Sequence, residues 1–362
     1  MRIENLKFGL MKKLLSVIFA LCFALEVSAQ APANYYNAAN GLTGTQLKLA
    51  LHNIIKGHTS ISYAATMDAF VYTDHRQDDY RKVWDMYSDI PGGTPPYLYT
   101  LGENNCGNYD SEGDCYNREH SWPQSWFGTD GTAKTDLHHL FPTDGFVNGK
   151  RGNNPFGEVR TASWTSRNGS KLGTSKTSGY TGTVFEPIDE YKGDFARAIM
   201  YMSVRYYTED GSWSTSDMTT KSEIKPWAIQ MLMRWNEQDP VSQKEIDRNN
   251  VVYRDFQHNR NPFIDHPEYA RMIWDPTWNT VEEALEAVSL FPNPIEAGET
   301  LHLSGNVHLF DAVVICDLYG RTVFKAAGDT VMTLPDDMAQ GCYIVKLMRN
   351  GTAVKYEKLM VK

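Results

Sequence analysis

Three short motifs lie within forty positions of one another: Arg118-Glu119-His120-Ser121-Trp122-Pro123, Asp136-Leu137-His138-His139-Leu140-Phe141-Pro142 and Val147-Asn148-Gly149-Lys150-Arg151-Gly152-Asn153. Together they supply a carboxylate, imidazoles and a carboxamide. Those groups can hold one hard metal ion through oxygen and deprotonate a water beside it. The chemistry they suit is the hydrolysis of phosphodiesters.

These residues must be positioned by regular elements. His120 follows a polar turn and precedes Ser121-Trp122-Pro123, and Leu137 to Phe141 reads as a second short strand. A segment starting at Pro142 and Asp144, with Gly145, Val147 and Asn148, reads as a helix. Strand, strand, helix, with His on the first strand and Asn on the helix, is the plan of the ββα-metal finger found in many nucleases.

On Arg118-Glu119-His120, Asp136 to Pro142, Val147 to Arg151 and Asn154-Pro155-Phe156-Gly157, the chain resembles the endonuclease I family of secreted, periplasmic and extracellular nucleases. The likeness extends upstream to Gly41-Leu42-Thr43-Gly44 and Leu51 to His58, and downstream to Gln238 to Val241 and Asn259 to Pro267. It spans most of residues 35 to 280. It implies that His120 is a general base and that Glu119 and Asn148 hold one divalent cation, usually Mg²⁺, with Ca²⁺ or Mn²⁺ as substitutes. Hydrolysis would leave 5′-phosphates, on double- or single-stranded DNA with RNA as a further substrate.

Strand geometry opposes part of this. Neighbouring residues point to opposite faces, so Glu119 and His120 face one metal together only at a bulge or a strand end. The plainer reading of Glu119 is a surface ion pair with Arg118 or Lys134. His138 and His139 also alternate, and a supporting structural role is expected for both. No His-Glu-x-x-His helix points to zinc.

Substrate contact is expected from Lys150, Arg151 and Arg160. They open a stretch, 150 to 176, in which six basic residues face one acidic residue, Glu158, a local charge of +5. Such contacts are independent of base sequence and sensitive to salt. Where family members carry an arginine between the histidine and the Asp-Leu-His segment to steady the phosphate, this chain offers Lys134, a monodentate substitute. Arg260, Asp265 and His266 are expected to pack rather than line the cleft. Trp122, Trp126 and Trp164 read as core or cleft wall.

The rest of the chain sets the context. Its 362 residues, 41% hydrophobic with nine Trp and twenty Tyr, can build a large core. Lys12-Lys13, the apolar run Leu14 to Leu25 and Val27-Ser28-Ala29 read as a signal peptide over 1–29. That run is shorter than the roughly twenty residues needed to cross a bilayer, and no later segment is long enough, so no transmembrane segment is expected. Removing the leader takes four basic and two acidic residues, moving the formal charge from -9 to -11. An acidic protein does not coat itself with nucleic acid, so any contact must be a local basic patch.

Cys106, Cys115, Cys316 and Cys342 remain after the leader, and an even count in an exported chain favours disulfides within each pair. Helical spacing marks Thr43 to His58, Asp194 to Tyr207 and Pro226 to Asn236, and Trp164 to Val184 reads as strands and loops. After Ala284, short alternating runs separated by Gly, Asn and Asp turns read as a small all-β Ig-like sandwich. Its segments Phe291-Pro292-Asn293-Pro294, Asp317 to Arg321 and Gly341 to Leu347 resemble the C-terminal sorting domain of type IX secretion cargo. That resemblance implies dealing with the type IX secretion machinery, and release or attachment at the cell surface beyond the outer membrane.

The expected organisation is thus α+β: leader 1–29, a mainly helical nuclease domain 30–283 around the finger, and a sandwich 284–362, in a monomer. Two other readings stay open, an inactive surface binding protein on the same scaffold and a metal phosphodiesterase acting on small phosphodiesters.

Overall fold

A computed structural model describes residues 31–275, 288–304, 310–328, 331–349 and 351–362. The expected leader and the expected boundary at 283–284 lie outside the described residues. The chain divides into two compact units between Trp274 and Asp275. Helix and strand are mixed in the order of an α+β protein. Among the described residues, no helix is long and apolar enough to cross a membrane.

In the first unit, helix α1 (Gly44–Ile55) buries Leu47, Leu51 and Ile55, which recur every four residues and so share one face. Helix α2 (Ala65–Thr73) follows. Strand β1 (Tyr116–His120), helices α3 (Gln124–Phe127) and α4 (Gly131–Lys134), strand β2 (Leu140–Asp144) and helix α5 (Gly145–Arg151) come next. Strands β3 (Val159–Thr165), β4 (Lys171–Ser175) and β5 (Thr183–Glu186) form an antiparallel sheet in sequence order.

Helix α6 (Lys192–Arg205) is the axis of the core, with every residue from Gly193 onward buried. Its Arg197 has no exposed surface and is held by both carboxylate oxygens of Glu245, at 2.5 and 2.9 Å. A buried guanidinium is tolerated only with such paired, bidentate satisfaction. A short β6–β7 pair (Thr219–Thr220, Glu223–Ile224) precedes helices α7 (Pro226–Gln238) and α8 (Gln243–Val251). Helix α8 starts on a capping box of Ser242 and Glu245, and runs into a π-helical turn, Val252–Gln257. Helices α9 (Pro262–Asp265) and α10 (Tyr269–Trp274) close the unit.

The second unit holds two antiparallel sheets around one core. Strands β8 (Ser289–Phe291), β9 (Thr300–Ser304) and β12 (Val331–Thr333) form one, in the order β12-β9-β8. Strands β10 (Ala312–Cys316), β11 (Thr322–Ala327), β13 (Gly341–Arg349) and β14 (Thr352–Val361) form the other, in the order β11-β10-β13-β14. Leu301, Leu303, Val313, Ile315, Val345 and Leu347 alternate inward and are buried together.

The cysteine expectation divides here. Cys106 and Cys115 are joined, with Cα atoms 5.8 Å apart. Cys316 and Cys342 are free thiols, which corrects the second pairing. The physical reason is register: Cys316 on β10 lies opposite Ile344 of β13, so Cys342 is two residues out of line.

Candidate active site

Strands β1 and β2 pair antiparallel, from Tyr116 opposite Asp144 to His120 opposite Leu140. The chain turns directly from β2 into α5 because Asp144 caps the helix, its Oδ1 accepting from the Val147 amide at 2.8 Å. Its other oxygen accepts from the Tyr99 hydroxyl at 2.6 Å and the Gly113 amide at 2.8 Å, so the turn is pinned from three sides. Helix α5 then lies over the face of β1 that carries Asn117 and Glu119.

Asn148 and Arg151, three apart on α5, reach that face together. The Asn148 amide donates to Asn117 Oδ1 at 2.7 Å and to the Arg118 carbonyl at 3.1 Å. Nδ2 is so engaged, and Asn148 Oδ1 meets no protein donor among the described residues. Glu119 is buried; its Oε1 accepts from the Tyr87 hydroxyl at 2.8 Å and from Arg151 Nη1 at 3.0 Å. Glu119 Oε2 likewise has no hydrogen-bonding partner among the described residues. Burial pushes the Glu119 carboxyl above the ordinary range, with Arg151 and Tyr87 opposing that shift. The expected surface pair of Glu119 with Arg118 or Lys134 is corrected: its ionic partner is Arg151, in the interior.

His120 is the last residue of β1, a strand end and not a bulge, with no shift in register through it. Its Nε2 lies 3.0 Å from the Lys134 carbonyl oxygen. A carbonyl only accepts, so Nε2 carries the proton and the lone pair sits on Nδ1. Burial, with His139, Lys134 and Arg118 nearby, pushes the imidazole pKa down to about 3, so the ring is neutral at ordinary pH.

The carbonyl comes from the end of α4, where helical C=O groups have no partner within the helix. Asp130 starts that helix by accepting from the Thr132 and Ala133 amides, at 3.0 and 3.1 Å. The preceding carbonyl, of Ala133, takes His139 Nε2 at 2.7 Å. His138 Nε2 meets the Asn259 carbonyl at 3.1 Å. Both of these histidines are buried. They do not lie on a strand: β2 begins at Leu140, and Leu137 to His139 form a turn. The Asp136 carboxylate makes that turn by accepting the His138 amide at 3.0 Å, while Tyr201, Tyr206 and Gln257 also donate to it.

The basic residues divide. Lys150 and Arg160 are exposed, and Lys134 is half-buried with Nζ 4.5 Å from the centre of the Tyr63 ring. Arg151 is corrected from a substrate contact to a packing residue: it is buried and its guanidinium is taken up by Glu119 and the carbonyls of His120 and Ser121, at 2.9 and 2.7 Å. Arg260 and Asp265 form a buried bidentate pair, both contacts at 2.6 Å. Trp122 and Trp126 are core, and Trp164 is half-buried against Phe146.

Arg118 is expected as an ion-pair partner of Glu119, and the structure turns it elsewhere. Arg118 stands two positions before His120 on the same strand face. Its Nε donates to Thr66 Oγ1 at 2.7 Å and its Nη2 to the Tyr63 carbonyl at 2.9 Å, while Nη1 meets no partner among the described residues.

The oxygens left by Asn148 and Glu119 are hard donors from one strand and one helix, the set suited to a divalent cation that keeps most of its waters. No group of three or more His, Cys, Asp or Glu side chains is arranged as a cage among the described residues. The residues present fit an ion held by few protein ligands, and do not make a structural zinc site.

Comparison with known proteins identifies the scaffold. Residues 43–268 match the family model described as Endonuclease I. An extracellular ribonuclease of Bacillus amyloliquefaciens is 40% identical over 245 residues, covering 66% of this chain and 78% of the relative. A second extracellular ribonuclease, from Bacillus subtilis, is 38% identical over the same length, with the same shares covered. Endonuclease-1 of Buchnera aphidicola is 27% identical over 131 residues, 36% of this chain and 46% of the relative. Members of the matched family generally depend on a divalent metal. The chain therefore belongs to the endonuclease I family, and is a nuclease that hydrolyses phosphodiester bonds.

Proposed function

We propose that the protein is a secreted, Mg²⁺-dependent endonuclease that cleaves RNA and DNA with little base preference. The observation that carries this reading is the His120 to Lys134 contact, which leaves an unprotonated Nδ1 at the end of the strand that also carries Glu119 and that Asn148 contacts through the Arg118 carbonyl. His120 takes the proton of a water as its oxygen bonds to phosphorus and the bond to the 3′-oxygen breaks, leaving a 5′-phosphate. An aligned general base of this kind is worth roughly 10²–10⁴ in rate. Glu119 and Asn148 would hold the cation through their side-chain oxygens. When bound, that ion supplies charge neutralisation at the phosphate and at the leaving oxygen.

Arg118, Lys134, Lys150 and Arg160 supply cationic contacts that read no sequence. Extracellular relatives support export, and the strand-rich second unit is assigned to sorting through the type IX route. The name ribonuclease on the two Bacillus relatives supports RNA as a substrate beside DNA.

The test is digestion of plasmid and of ribosomal RNA with Mg²⁺, with chelator, and with His120→Ala. Cleavage that stops with chelator and falls at least a hundredfold in the variant, leaving 5′-phosphate ends, is expected. Products ending in 2′,3′-cyclic phosphate would overturn the mechanism, since they require the substrate's own 2′-hydroxyl as nucleophile.

A further inference from the structure

Beside β1 lies a cleft of about 400 Å³ whose lining includes Tyr63, Met67, Asn105, Cys106, Asn117 and Arg118. Its volume falls in the range that accepts a small organic ligand. Two walls are fixed by the chain itself. On one side the bond from Cys106 to Cys115 holds the loop carrying Asn105. On the other, the loop before α2 is tied to β1, since Arg118 donates to the Tyr63 carbonyl and to Thr66, and the Thr66 hydroxyl donates to the same carbonyl at 2.7 Å.

The Tyr63 ring is 39% exposed although it is held in place, an arrangement that offers an aromatic surface at little entropic cost. The ring lies nearly parallel to His120, 13° between planes and 6.4 Å between centres. Arg118 stands 4.1 Å from its centre. Asn117 joins the cleft to Asn148, because its Oδ1 accepts the Asn148 amide and its own Nδ2 is left for a further acceptor. A phosphate donor, an aromatic surface and two carboxamides therefore converge within reach of the proposed base.

We propose that this cleft is a nucleotide subsite for the residue adjoining the scissile phosphate. Its base rests against the exposed Tyr63 ring and Met67, its edge meets Asn105 and Asn117, and its phosphate meets Arg118 Nη1. The inference rests on the nuclease mechanism given above and adds a substrate class: a base must leave its pair to reach Tyr63, so unpaired strands are preferred over duplex. Base preference stays weak, because every base has a face to stack.

The test uses oligonucleotides of one cleavable phosphodiester, with either a normal base or an abasic residue at the adjoining position. Wild-type protein with Mg²⁺ is expected to lose about 5- to 150-fold in kcat/KM on the abasic substrate, the range supplied by one stacked base. Tyr63→Leu is expected to lose a similar factor on the intact substrate, mainly in KM, and little more on the abasic one. Cleavage by wild type that ignores the missing base, or a Tyr63→Leu defect equal on both substrates, overturns the subsite and leaves the nuclease mechanism standing. Absence of all Mg²⁺-dependent cleavage sinks the mechanism instead. The subsite is then read from the equilibrium binding of the same pair to His120→Ala in Ca²⁺, where equal affinities overturn it.

Discussion

His120 Nε2 and the carbonyl oxygen of Lys134 stand 3.0 Å apart, so the orientation of the imidazole is set by the backbone at the end of a four-residue helix. The side chain of Lys134 is not needed for that contact, whereas the cap that starts the helix is. Asp130→Ala removes the acceptor for two amides and for the Trp213 indole N–H at 3.1 Å. Loss of a cap costs about 1 kcal/mol of stability. The expected kinetic result is a kcat lower by roughly tenfold or more, part of the 10²–10⁴ an aligned base supplies. Lys134→Ala is expected to raise KM and flatten its salt dependence with kcat little changed. Steady-state kinetics at two salt concentrations separates the variants, and equal kcat losses in both would refute the backbone account.

A second prediction concerns Arg151. Removing one partner of a buried ion pair leaves the other uncompensated, at a cost of about 3–5 kcal/mol. Arg151→Ala strands Glu119 beneath α5 and also leaves the His120 and Ser121 carbonyls without their donor. A large drop in the urea midpoint of the first unit is expected. A shift worth less than about 1 kcal/mol would mean that Arg151 is a surface cation after all.

These two cases show what was legible from the sequence. Helix α1 could be read because Leu47, Leu51 and Ile55 carry the signal locally. The start of β2 could not: Leu137-His138-His139 looks like a strand, but Asp136 accepts the His138 amide, and Gln257, 120 positions away, accepts the Leu137 amide. Arg151 reads as part of a basic run, and only its contact with Glu119, 32 positions earlier, draws it inside. Tyr63 sits in a loop without any motif. Its value depends on Arg118, 55 positions on, and no local pattern encodes that pairing.

Stability should depend on pH with an optimum near the ordinary histidine value. Burial, with Asp144 beside it, raises the Asp85 carboxyl to about 8, so the folded state keeps a proton that the unfolded chain releases near pH 4. Its contribution is complete below pH 4 and is lost as pH rises towards 8. Buried His58, His138 and His139 act oppositely. Their pKa values are lowered chiefly by burial, that of His138 to about 4, so the unfolded chain binds more protons up to about pH 6.5 and stability rises with pH there. His52 and His120, also lowered by burial, act with these three below pH 6.5. Against them stand Asp85 and the other carboxyls that burial raises, Glu119, Asp194 and Asp239, and above that pH the carboxyls act without the histidines. The melting temperature is therefore expected to peak near pH 6.5 and fall towards 8. Asp85→Asn should shallow that fall while lowering the peak, and a variant that falls as steeply as wild type would refute the assignment.

The cysteines offer a chemical check on the second unit. Bridging Cys316 and Cys342 would require β13 to slide by two residues against β10, because Ile344 now lies opposite Cys316. Such a slide would break every pairing from Ala312–Met348 to Cys316–Ile344 and would also shift β13 against β14. It would keep the same faces inward, since two residues is one strand repeat, so burial alone does not forbid it. What opposes it is the ladder itself and the seating of Val345 and Leu347 against Val313 and Ile315. Alkylation of the denatured, unreduced protein followed by peptide mapping should therefore modify Cys316 and Cys342 and spare Cys106 and Cys115. Recovery of a peptide crosslinked between Cys316 and Cys342 would show that the exported protein adopts the slid register.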